Sequence, residues 1–286
     1  MKRACVIGWP ISHSRSPLIH GYWLKNYGIE GSYTKEAVPP GQIEPFLRSL
    51  AARGYAGCNV TVPYKEIALR EADTATMSAE AIGAANTLWL DDGKLVADNT
   101  DRTGFMTHLL NTVPTWNGEG PVAILGAGGA AKAITMGMAV PLAFDAAHNQ
   151  NSPAEIRVIN RTLDRAREIA VRWEGLVKPC AWEDRIAATS DAKIVINTTT
   201  LGMANGDPLD FEVSHLRDDA IVADIVYVPL ETDLLRRARA RHLIAVDGLG
   251  MLLHQAVPGF EKWFGVRPEV TDELRALIEA DIKAQM

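Results

Sequence analysis

The sequence feature that most constrains the fold is a glycine-rich turn between an apolar run and a helical pattern. Val122-Ala123-Ile124-Leu125 is typical of a buried strand, and a helix is predicted from Lys132 to about Ala143. The pattern G-x-G-x-x-A lies between them, formed by Gly126, Ala127, Gly128, Gly129, Ala130 and Ala131. In this setting glycines let the backbone approach a pyrophosphate, and the following helix directs its N–H groups and positive dipole end toward that charge. The pattern predicts a dinucleotide-binding turn, with an ordinary tight turn as the alternative.

The segment after the next predicted strand, 157–159, indicates which dinucleotide is bound. An NAD site usually has Asp or Glu at the end of this strand for the ribose 2′-hydroxyl, whereas a 2′-phosphate needs positive charge and hydrogen-bond donors. No acid ends this strand, which is followed by Asn160, Arg161, Thr162 and Arg165. These residues predict NADP. The alternative is a solvated helix start, in which Asp164 favours the helix dipole and the arginines are merely exposed.

Length and charge exclude several classes of protein. The 286 residues are enough for two domains, and contents of 47% apolar and 22% charged residues are ordinary for a globular protein. A net charge of −6, without a run of five like charges, argues against a nucleic-acid partner. The apolar stretch 134–144 is shorter than the ~20 residues that span a bilayer, and we find no targeting signal. We therefore expect no membrane partner.

The cysteines indicate the compartment. Cys5, Cys58 and Cys180 are odd in number and far apart, and they form neither a C-x-x-C pair nor a metal-type cluster. This pattern fits a reducing cytoplasm best. We expect a cytoplasmic protein without a metal site.

Short β-rich runs alternate with helical-period runs along the chain, which predicts an α/β fold with parallel sheets covered by helices. In the first half we predict strands at 4–8, 32–38 and 56–60, helices at 17–27, 43–53 and 63–71, and a hairpin of 86–90 and 94–97. Ser16 suits the cap of the first helix, with Pro17 as its first residue. In the second half we predict a helix at 163–173, strands at 193–196, 221–223 and 243–245, and C-terminal helices at 251–264 and 271–284.

Polar residues in the first half carry candidate chemistry. Ser14 and Ser16 lie in a strand-to-helix turn suited to hydrogen-bonding a small anion or polyol, although a helix cap would also account for them. Lys65 lies in the first turn of its helix, an unfavourable place for a cation, where it could transfer a proton with help from a carboxylate. Asp101 is the candidate carboxylate, although a separation of 36 residues proves no contact. Taken singly, each charge is also compatible with an ordinary surface residue.

Taken together, these residues and further segments closely resemble the shikimate dehydrogenase family. The matching segments are 10–17, 59–65, 83–88, 98–101, 126–131, 160–162, 197–203, 224–227 and 248–256. They follow the family's order over nearly the whole chain. The whole set of segments therefore excludes accidental similarity far more strongly than the glycine turn does alone.

The resemblance implies an NADP-dependent reduction of the 3-keto group of 3-dehydroshikimate to shikimate, in aromatic amino-acid biosynthesis. It implies that Lys65 and Asp101 are the catalytic pair, with Lys65 giving a proton to the oxygen as hydride reaches the carbon. Ser14 and Ser16 would bind the substrate carboxylate, with Tyr227 nearby. The ring hydroxyls would be held by Asn59, Thr61, Asn86, Asp101 and Gln255.

The same resemblance implies a two-domain fold and a set of cofactor contacts. An N-terminal α/β substrate-binding and catalytic domain would span 1–103, with 249–286 packing back on it, and a Rossmann-type doubly wound NADP-binding domain would span 104–248. The implied cofactor-binding residues are Gly126, Ala127, Gly128, Gly129, Ala130, Asn160, Arg161, Thr162, Arg165, Thr198, Gly248 and Met251. No metal is required, since the Lys65 ammonium takes the place of a Lewis acid. Family members occur as monomers and homodimers, so the oligomeric state stays open.

Some positions depart from the family pattern. Trp9 replaces a small polar residue, Tyr64 a frequent phenylalanine, and Arg102 the usual glycine after the aspartate. Trp9 and Arg102 would border the pocket, which leaves substrate breadth open, although Trp9 could simply pack against the neighbouring helix. A polar loop at 145–153 also lengthens the spacing between the glycine turn and Asn160.

Two other functions compete with this prediction. A quinate/shikimate dehydrogenase would accept the extra hydroxyl of quinate and use NAD, against which the missing acid after strand 157–159 argues. A non-catalytic sensor of the same fold would bind a shikimate-like ligand to regulate a partner. The presence of both Lys65 and Asp101 argues against the sensor, because such a protein has no need of a proton donor.

Overall fold

The computed structural model describes residues 1–140 and 153–285. The chain divides into two compact units, one formed by Met1–Gly104 with Leu253–Asp281 and the other by Phe105–Leu252 with the residues from Ile282 onward. The polar loop predicted at 145–153 lies outside the described residues except for Pro153. Each unit is considered by itself below.

The first unit is built on a six-stranded mixed sheet with the spatial order β2-β1-β3-β5-β6-β4. Its strands are β1 (Lys2–Gly8), β2 (Gly31–Ala37), β3 (Gly57–Val60), β4 (Thr74–Ala75), β5 (Thr87–Asp91) and β6 (Lys94–Asp98). The helices that follow these strands are α1 (Ser16–Asn26), α2 (Ile43–Arg48), α3 (Lys65–Glu71) and α4 (Met77–Ile82). β1 runs parallel to β2 and β3, whereas β5 runs antiparallel to β3 and β6. The carboxyl ends of β1 and β3 therefore lie at one edge of the sheet, where the loops with the predicted substrate residues begin.

Two later helices complete the first unit. They are α10 (Gly248–Phe264) and α11 (Asp272–Ala284), of which residues 253–281 belong to this unit. Gly57 allows α10 to approach the sheet, because a Cβ at this position would lie 2.1 Å from the Leu88 carbonyl oxygen and 2.2 Å from Trp263 Nε1. Trp263 Nε1 donates a hydrogen bond of 2.8 Å to the same Leu88 carbonyl oxygen. α10 is thus fixed to β5, the strand that follows Asn86.

The second unit contains a six-stranded parallel sheet with the order β12-β11-β10-β7-β8-β9. Its strands are β7 (Val122–Leu125), β8 (Ile156–Asn160), β9 (Val177–Ala181), β10 (Ile194–Asn197), β11 (Ile221–Asp224) and β12 (Ile244–Val246). Its helices are α6 (Gly129–Ala139), α7 (Leu163–Arg172), α8 (Arg185–Thr189) and α9 (Asp233–Ala240), and α5 (Asp101–Thr112) leads into it. The strand order reverses between β7 and β10, which is the arrangement of a doubly wound dinucleotide-binding sheet.

Burial on both faces explains why the strands of this sheet read as continuous apolar runs. Val122 and Ile124 pack into one hydrophobic cluster, whereas Ala123 and Leu125 pack into another on the opposite face. Helices covering both faces leave no side for polar residues, so the alternation seen in half-exposed strands is absent. The predicted α/β class and its doubly wound second half are confirmed.

Several predicted boundaries are wrong. Ser16 is the first residue of α1 and not its cap, since Arg15 occupies the cap position and no side chain caps the helix. α2 ends at Arg48 instead of Arg53, and the next residues form tighter turns in which the Leu50 N–H donates to the Leu47 carbonyl oxygen at 3.1 Å. α6 begins at Gly129, three residues earlier than predicted. Gly129 is therefore the first residue of the helix, and Gly128 is its cap.

Candidate active site

The centre of the candidate active site is an ion pair in the first unit. Lys65 begins α3, directly after the loop that follows β3, and Asp101 begins α5, three residues after β6 ends. Lys65 Nζ donates to Asp101 Oδ2 at 2.6 Å, and the side chains are 26% and 10% exposed. The backbone N–H of Ala85 donates to the Lys65 carbonyl oxygen at 2.8 Å and fixes the base of the lysine. The pair is therefore held rigidly, yet the ammonium stays accessible to a small molecule.

Asn86 holds the other oxygen of the carboxylate. Its Nδ2 donates to Asp101 Oδ1 at 2.8 Å and lies 3.3 Å from Gln255 Oε1. Gln255 is located on the part of α10 that belongs to the first unit. The structure thus brings together four of the predicted residues, namely Lys65, Asp101, Asn86 and Gln255.

The predicted residues on β3 and its following loop differ in what they can offer a ligand. Asn59 is 6% exposed, its Nδ2 donates to the Asn86 carbonyl oxygen and to Thr87 Oγ1, and its Oδ1 accepts from the Tyr33 hydroxyl at 2.5 Å. One lone pair of Asn59 Oδ1 is therefore left to accept a hydrogen bond from a ligand. The hydroxyl of Thr61 is half-buried and makes no hydrogen bond within residues 1–140 and 153–285. Thr61 is therefore better placed than Asn59 to bind a ligand.

The two predicted serines lie next to each other before and at the start of α1. Ser14 Oγ is 3.3 Å from Ser16 Oγ and accepts a long hydrogen bond of 3.4 Å from the Ser16 N–H. Arg15 between them is 9% exposed, and its Nε donates to Asp281 Oδ2 on α11 at 3.0 Å. The cation in this loop is thus directed to the C-terminal helix, and the serine hydroxyls are the groups that remain for an anion.

The last predicted substrate residue, Tyr227, and two residues that depart from the family pattern, Trp9 and Arg102, have different surroundings. Tyr227 belongs to the second unit, three residues after the end of β11, so its predicted role beside Ser14 and Ser16 stays a prediction. Trp9 is 45% exposed, and its backbone N–H donates to the Val62 carbonyl oxygen at 3.3 Å. Burial lowers the pKa of Arg102, and the Asp98 carboxylate acts in the opposite direction.

The glycine turn of the second unit has the space that a pyrophosphate needs. Gly126 has a φ of +108°, and a Cβ there would lie 2.7 Å from Thr198 Oγ1. By contrast, a Cβ at Gly128 or Gly129 would meet no atom within 4 Å. Gly128 caps α6 without a side-chain hydrogen bond, so the first backbone N–H groups of this 11-residue helix remain for a ligand. The residues present therefore fit a bound dinucleotide.

The residues around β8 fit a 2′-phosphate. Arg161 and Arg165 are exposed, and neither guanidinium has an ion-pair partner among the described residues. Asp164 pairs instead with Arg167 at 2.8 Å. Asn160 Nδ2 donates to the Thr162 carbonyl oxygen at 2.9 Å and orders the turn between them. Both guanidinium groups are thus available to a 2′-phosphate at the end of this strand.

Three further predicted cofactor residues have structural partners. The Thr198 hydroxyl donates to the Leu125 carbonyl oxygen at 2.7 Å, which closes the glycine turn against β10. A Cβ at Gly248 would lie 2.3 Å from the Ile225 carbonyl oxygen, so this glycine permits close packing. Met251 is 8% exposed and belongs to the hydrophobic core of the second unit. Their roles toward a cofactor stay predictions.

Sequence reasoning missed two groups of polar residues. Thr87 and Thr100 are each 1% exposed and donate to Asn86 Oδ1 at 3.0 and 3.1 Å. Asp224 is buried beside Asn197 and Thr232, and burial raises its pKa to about 6 against the hydrogen bonds that lower it. Both groups lie inside or beside the segments that resemble the family, but nothing in their spacing indicates a contact.

The part of the chain that the structure describes contains neither a membrane-spanning helix nor a cluster of metal-ligating side chains. None of the helices in 1–140 and 153–285 has the length and apolar content to cross a membrane. No group of three or more His, Cys, Asp or Glu residues in the same ranges could hold a metal ion.

A doubly wound unit with a glycine turn, together with a unit that carries a lysine–aspartate pair, is typical of nicotinamide-dependent oxidoreductases. The family model for the shikimate dehydrogenase substrate binding domain matches residues 6–88, and the model for the shikimate 5'-dehydrogenase C-terminal domain matches residues 248–277. Shikimate dehydrogenase (NADP(+)) of Azorhizobium caulinodans is 50% identical over 286 residues, which are 100% of this chain and 98% of that protein. The chain belongs to the shikimate dehydrogenase family.

Solved structures agree with this family. Shikimate 5-dehydrogenase of Thermus thermophilus, in complex with NADP(H) and shikimate, has a TM-score of 0.81 at 30% identity and covers 100% of both chains. Quinate dehydrogenase of Corynebacterium glutamicum, in complex with NAD, has a TM-score of 0.86 at 28% identity, covering 98% of this chain and 99% of that chain. The predicted resemblance is confirmed, and the second structure shows why quinate and NAD have to be tested.

Proposed function

We propose that this protein catalyses the reversible NADPH-dependent reduction of 3-dehydroshikimate to shikimate. The observation that carries the proposal is the accessible Lys65–Asp101 ion pair, held at 2.6 Å within the unit that matches the family's substrate-binding domain. Relatives named NADP(+)-dependent shikimate dehydrogenases, 50% identical over the full chain, support both the reaction and the cofactor. In this proposal the first unit binds the substrate and the second unit binds NADP.

Lys65 is the proton donor in this proposal. Reduction of a ketone places negative charge on its oxygen, which requires positive charge and a proton close by, and an ammonium supplies both. Bound NADPH supplies the hydride. Lys65 Nζ gives its proton to the 3-oxygen and later regains one from solvent, while the Asp101 carboxyl group keeps the nitrogen in place. In the direction of shikimate oxidation, the same nitrogen accepts the proton.

The surrounding hydroxyls and amides would orient the substrate. Ser14 and Ser16 bind the carboxylate with their two neighbouring hydroxyls, and Thr61, Asn86 and Gln255 hydrogen-bond the ring hydroxyls. Asn59 contributes the one lone pair of Oδ1 that Tyr33 leaves available. This arrangement is supported by the half-buried Thr61 hydroxyl, which has no hydrogen bond within the described ranges.

The cofactor is held through its phosphates. The backbone from Gly126 to Ala130 binds the pyrophosphate at the uncapped start of α6, and Thr198, Gly248 and Met251 line the same ligand. Asn160 and Thr162 shape the turn after β8, where Arg161 and Arg165 bind the 2′-phosphate by charge-assisted hydrogen bonds. The two unpaired guanidinium groups support NADP over NAD.

Steady-state rates for shikimate and quinate, each with NADP and NAD, test the proposal. We expect the highest kcat/KM for shikimate with NADP. Faster turnover with NAD would contradict the role of Arg161 and Arg165, and faster turnover of quinate would establish the alternative dehydrogenase. Shikimate binding in calorimetry without turnover in any combination would establish the sensor.

Two properties complete the proposal. We expect a cytoplasmic protein, which is supported by the free and fully buried thiols of Cys5 and Cys58. The protein is a monomer or a homodimer, and light scattering on the purified enzyme distinguishes them. Detection in a membrane or secreted fraction would contradict the assigned compartment.

A further inference from the structure

The orientation of the Asn86 amide is fixed by neighbours that do not face the ligand site. Asn86 Oδ1 accepts hydrogen bonds from the Thr100 N–H at 2.9 Å, the Thr87 hydroxyl at 3.0 Å and the Thr100 hydroxyl at 3.1 Å. Its Nδ2 is thereby turned to Asp101 Oδ1 at 2.8 Å. We propose that Thr87 and Thr100 are positioning residues, which act on the Lys65–Asp101 pair through the Asn86 amide. This inference rests on the proposed function, because it assigns a role relative to Asp101.

The alternative orientation of the amide shows why the two hydroxyls matter. A flipped Asn86 would place Oδ1 against the Asp101 carboxylate and Nδ2 against the Thr100 N–H, so two attractive contacts would become repulsive. A hydroxyl can also accept from an amide N–H, so the Thr100 N–H and the Asp101 carboxylate select the observed orientation, and the two threonine hydroxyls add donors that hold Oδ1 in place. In this orientation Asp101 receives a donor on each oxygen, Asn86 on Oδ1 and Lys65 on Oδ2.

The Thr87 hydroxyl is itself held by a donor. Asn59 Nδ2 donates to Thr87 Oγ1 at 3.1 Å, which leaves the Thr87 proton for Asn86 Oδ1 at 3.0 Å or for Thr100 Oγ1 at 3.2 Å. The Asn59 amide is oriented in turn by the Tyr33 hydroxyl, which donates to Oδ1. The result is one continuous chain of donors that leads from Tyr33 through Asn59, Thr87 and Asn86 to Asp101.

The position of the two threonines separates this role from substrate binding. Thr87 and Thr100 are each 1% exposed, so neither hydroxyl reaches a ligand, but the Thr100 hydroxyl also lies 3.5 Å from Gln255 Oε1, which makes Thr87 the cleaner position for a test. β5 and β6 bring them together, because Thr87 pairs with Asp98 and the chain then turns through Asn99 and Thr100 into α5. A change at Thr87 should therefore affect the rate of proton transfer more than the affinity for shikimate.

The experiment compares Thr87→Val and Thr87→Ser with the wild-type enzyme, using Thr34→Val as the matched control. Val keeps the shape of Thr without the hydroxyl, and Ser keeps the hydroxyl. Thr34 lies on β2 in the same sheet, where its hydroxyl bonds Glu36 at 2.9 Å, outside this chain of donors. Measurements are kcat and KM for shikimate with NADP, the pH profile of kcat, and unfolding by circular dichroism.

We expect Thr87→Val to lower kcat about tenfold, because the hydrogen bond from Thr87 Oγ1 to Asn86 Oδ1 is lost. KM for shikimate should change less than about threefold. The acidic limb of the kcat profile for shikimate oxidation should move to higher pH, because a carboxylate without the Asn86 donor attracts the Lys65 proton more strongly. Thr87→Ser should restore kcat and the profile to near wild-type values. Thr34→Val should change neither.

A double-mutant cycle with Asp101→Asn tests that the effect passes through this carboxylate. Thr87→Val should lower kcat no further in the Asp101→Asn background. A folded Thr87→Val enzyme with wild-type kcat and an unmoved pH profile would overturn the inference, as would a full additional loss in the double variant. If Thr87→Val does not fold, Thr100→Val, which keeps its backbone N–H, is judged by the same criteria with a smaller expected loss of about threefold. Failure of the proposed function is a separate result, since the wild-type enzyme itself would then not oxidise shikimate.

Discussion

Replacing His20 by phenylalanine should remove much of the acid sensitivity of the first unit. His20 on α1 is 0% exposed and stacks on the Tyr33 ring with 4.0 Å between centroids, while Trp23, Phe260 and Trp263 surround it. Neither ring nitrogen makes a hydrogen bond of good geometry among the described residues. Burial lowers the pKa of His20 from 6.5 to about 3, and the Asn59 side chain acts in the opposite direction. The ring is therefore neutral in the folded protein at pH values where it is charged in the unfolded chain.

The sign and size of the effect follow from this difference in pKa. Below pH 6.5 the unfolded chain binds a proton that the folded protein does not, so stability is fully present above that pH and is lost progressively as the pH falls toward about 3. Each pH unit in this window costs about 1.4 kcal/mol, so the loss is about 2 kcal/mol at pH 5 and about 5 kcal/mol near pH 3. Phenylalanine removes the titration and gives up no hydrogen bond of good geometry, although its larger ring carries a packing cost that does not depend on pH.

Urea unfolding followed by circular dichroism at pH 7.5 and pH 5 measures this effect. The difference between the two pH values should be about 2 kcal/mol smaller in His20→Phe than in the wild-type protein. His13→Phe is the matched control, since His13 is exposed in the loop before the same helix and its replacement should leave the difference unchanged. Other titrating groups, including Asp224, contribute equally to both proteins and cancel. Equal pH dependence in wild type and His20→Phe would refute the reasoning.

Two further predictions concern the cofactor site. Arg161→Ala should raise KM for NADP about tenfold, the low end for an exposed charge-assisted contact, with KM for NAD little changed. Arg167→Ala on α7, which follows Arg161, should alter neither KM, and equal losses for both cofactors in Arg161→Ala would contradict a 2′-phosphate contact. Gly126→Ala should destabilise the protein by about 1–3 kcal/mol and weaken NADP binding, because φ is +108° and the new Cβ would lie 2.7 Å from Thr198 Oγ1. Unchanged urea unfolding of this variant would contradict the assigned strain.

Local signals in the sequence predicted much of the fold. The glycine turn, the apolar runs of the second sheet and the Asp91-Asp92-Gly93 turn between β5 and β6 each depend on a few adjacent residues, and all three are found. Elements without such a signal were not predicted. β4 has two residues, too few to show any periodicity. α9 is different, because Thr232 caps it and Leu234, Leu235 and Ala238 form its buried face, a local signal that the sequence analysis missed.

The candidate site shows a different limit. Lys65 and Asp101 could be paired only through the family resemblance, because a separation along the chain carries no distance. The orientation of Asn86 could not be predicted at all, since it depends on the pairing of β5 with β6 and on the turn through Thr100. Side-chain hydrogen bonds of this kind are determined by tertiary structure, and a linear pattern does not contain them.

The central claim is that Lys65 transfers the proton to and from the substrate oxygen. The most direct measurement is kcat of Lys65→Ala for shikimate oxidation with NADP, together with the shikimate affinity from calorimetry and with Lys94→Ala, an exposed lysine on β6, as the control. For Lys65→Ala we expect a loss in kcat of about 10²-fold or more and a much smaller loss in affinity, and for Lys94→Ala we expect wild-type behaviour. A folded Lys65→Ala enzyme with near-normal kcat would contradict the claim.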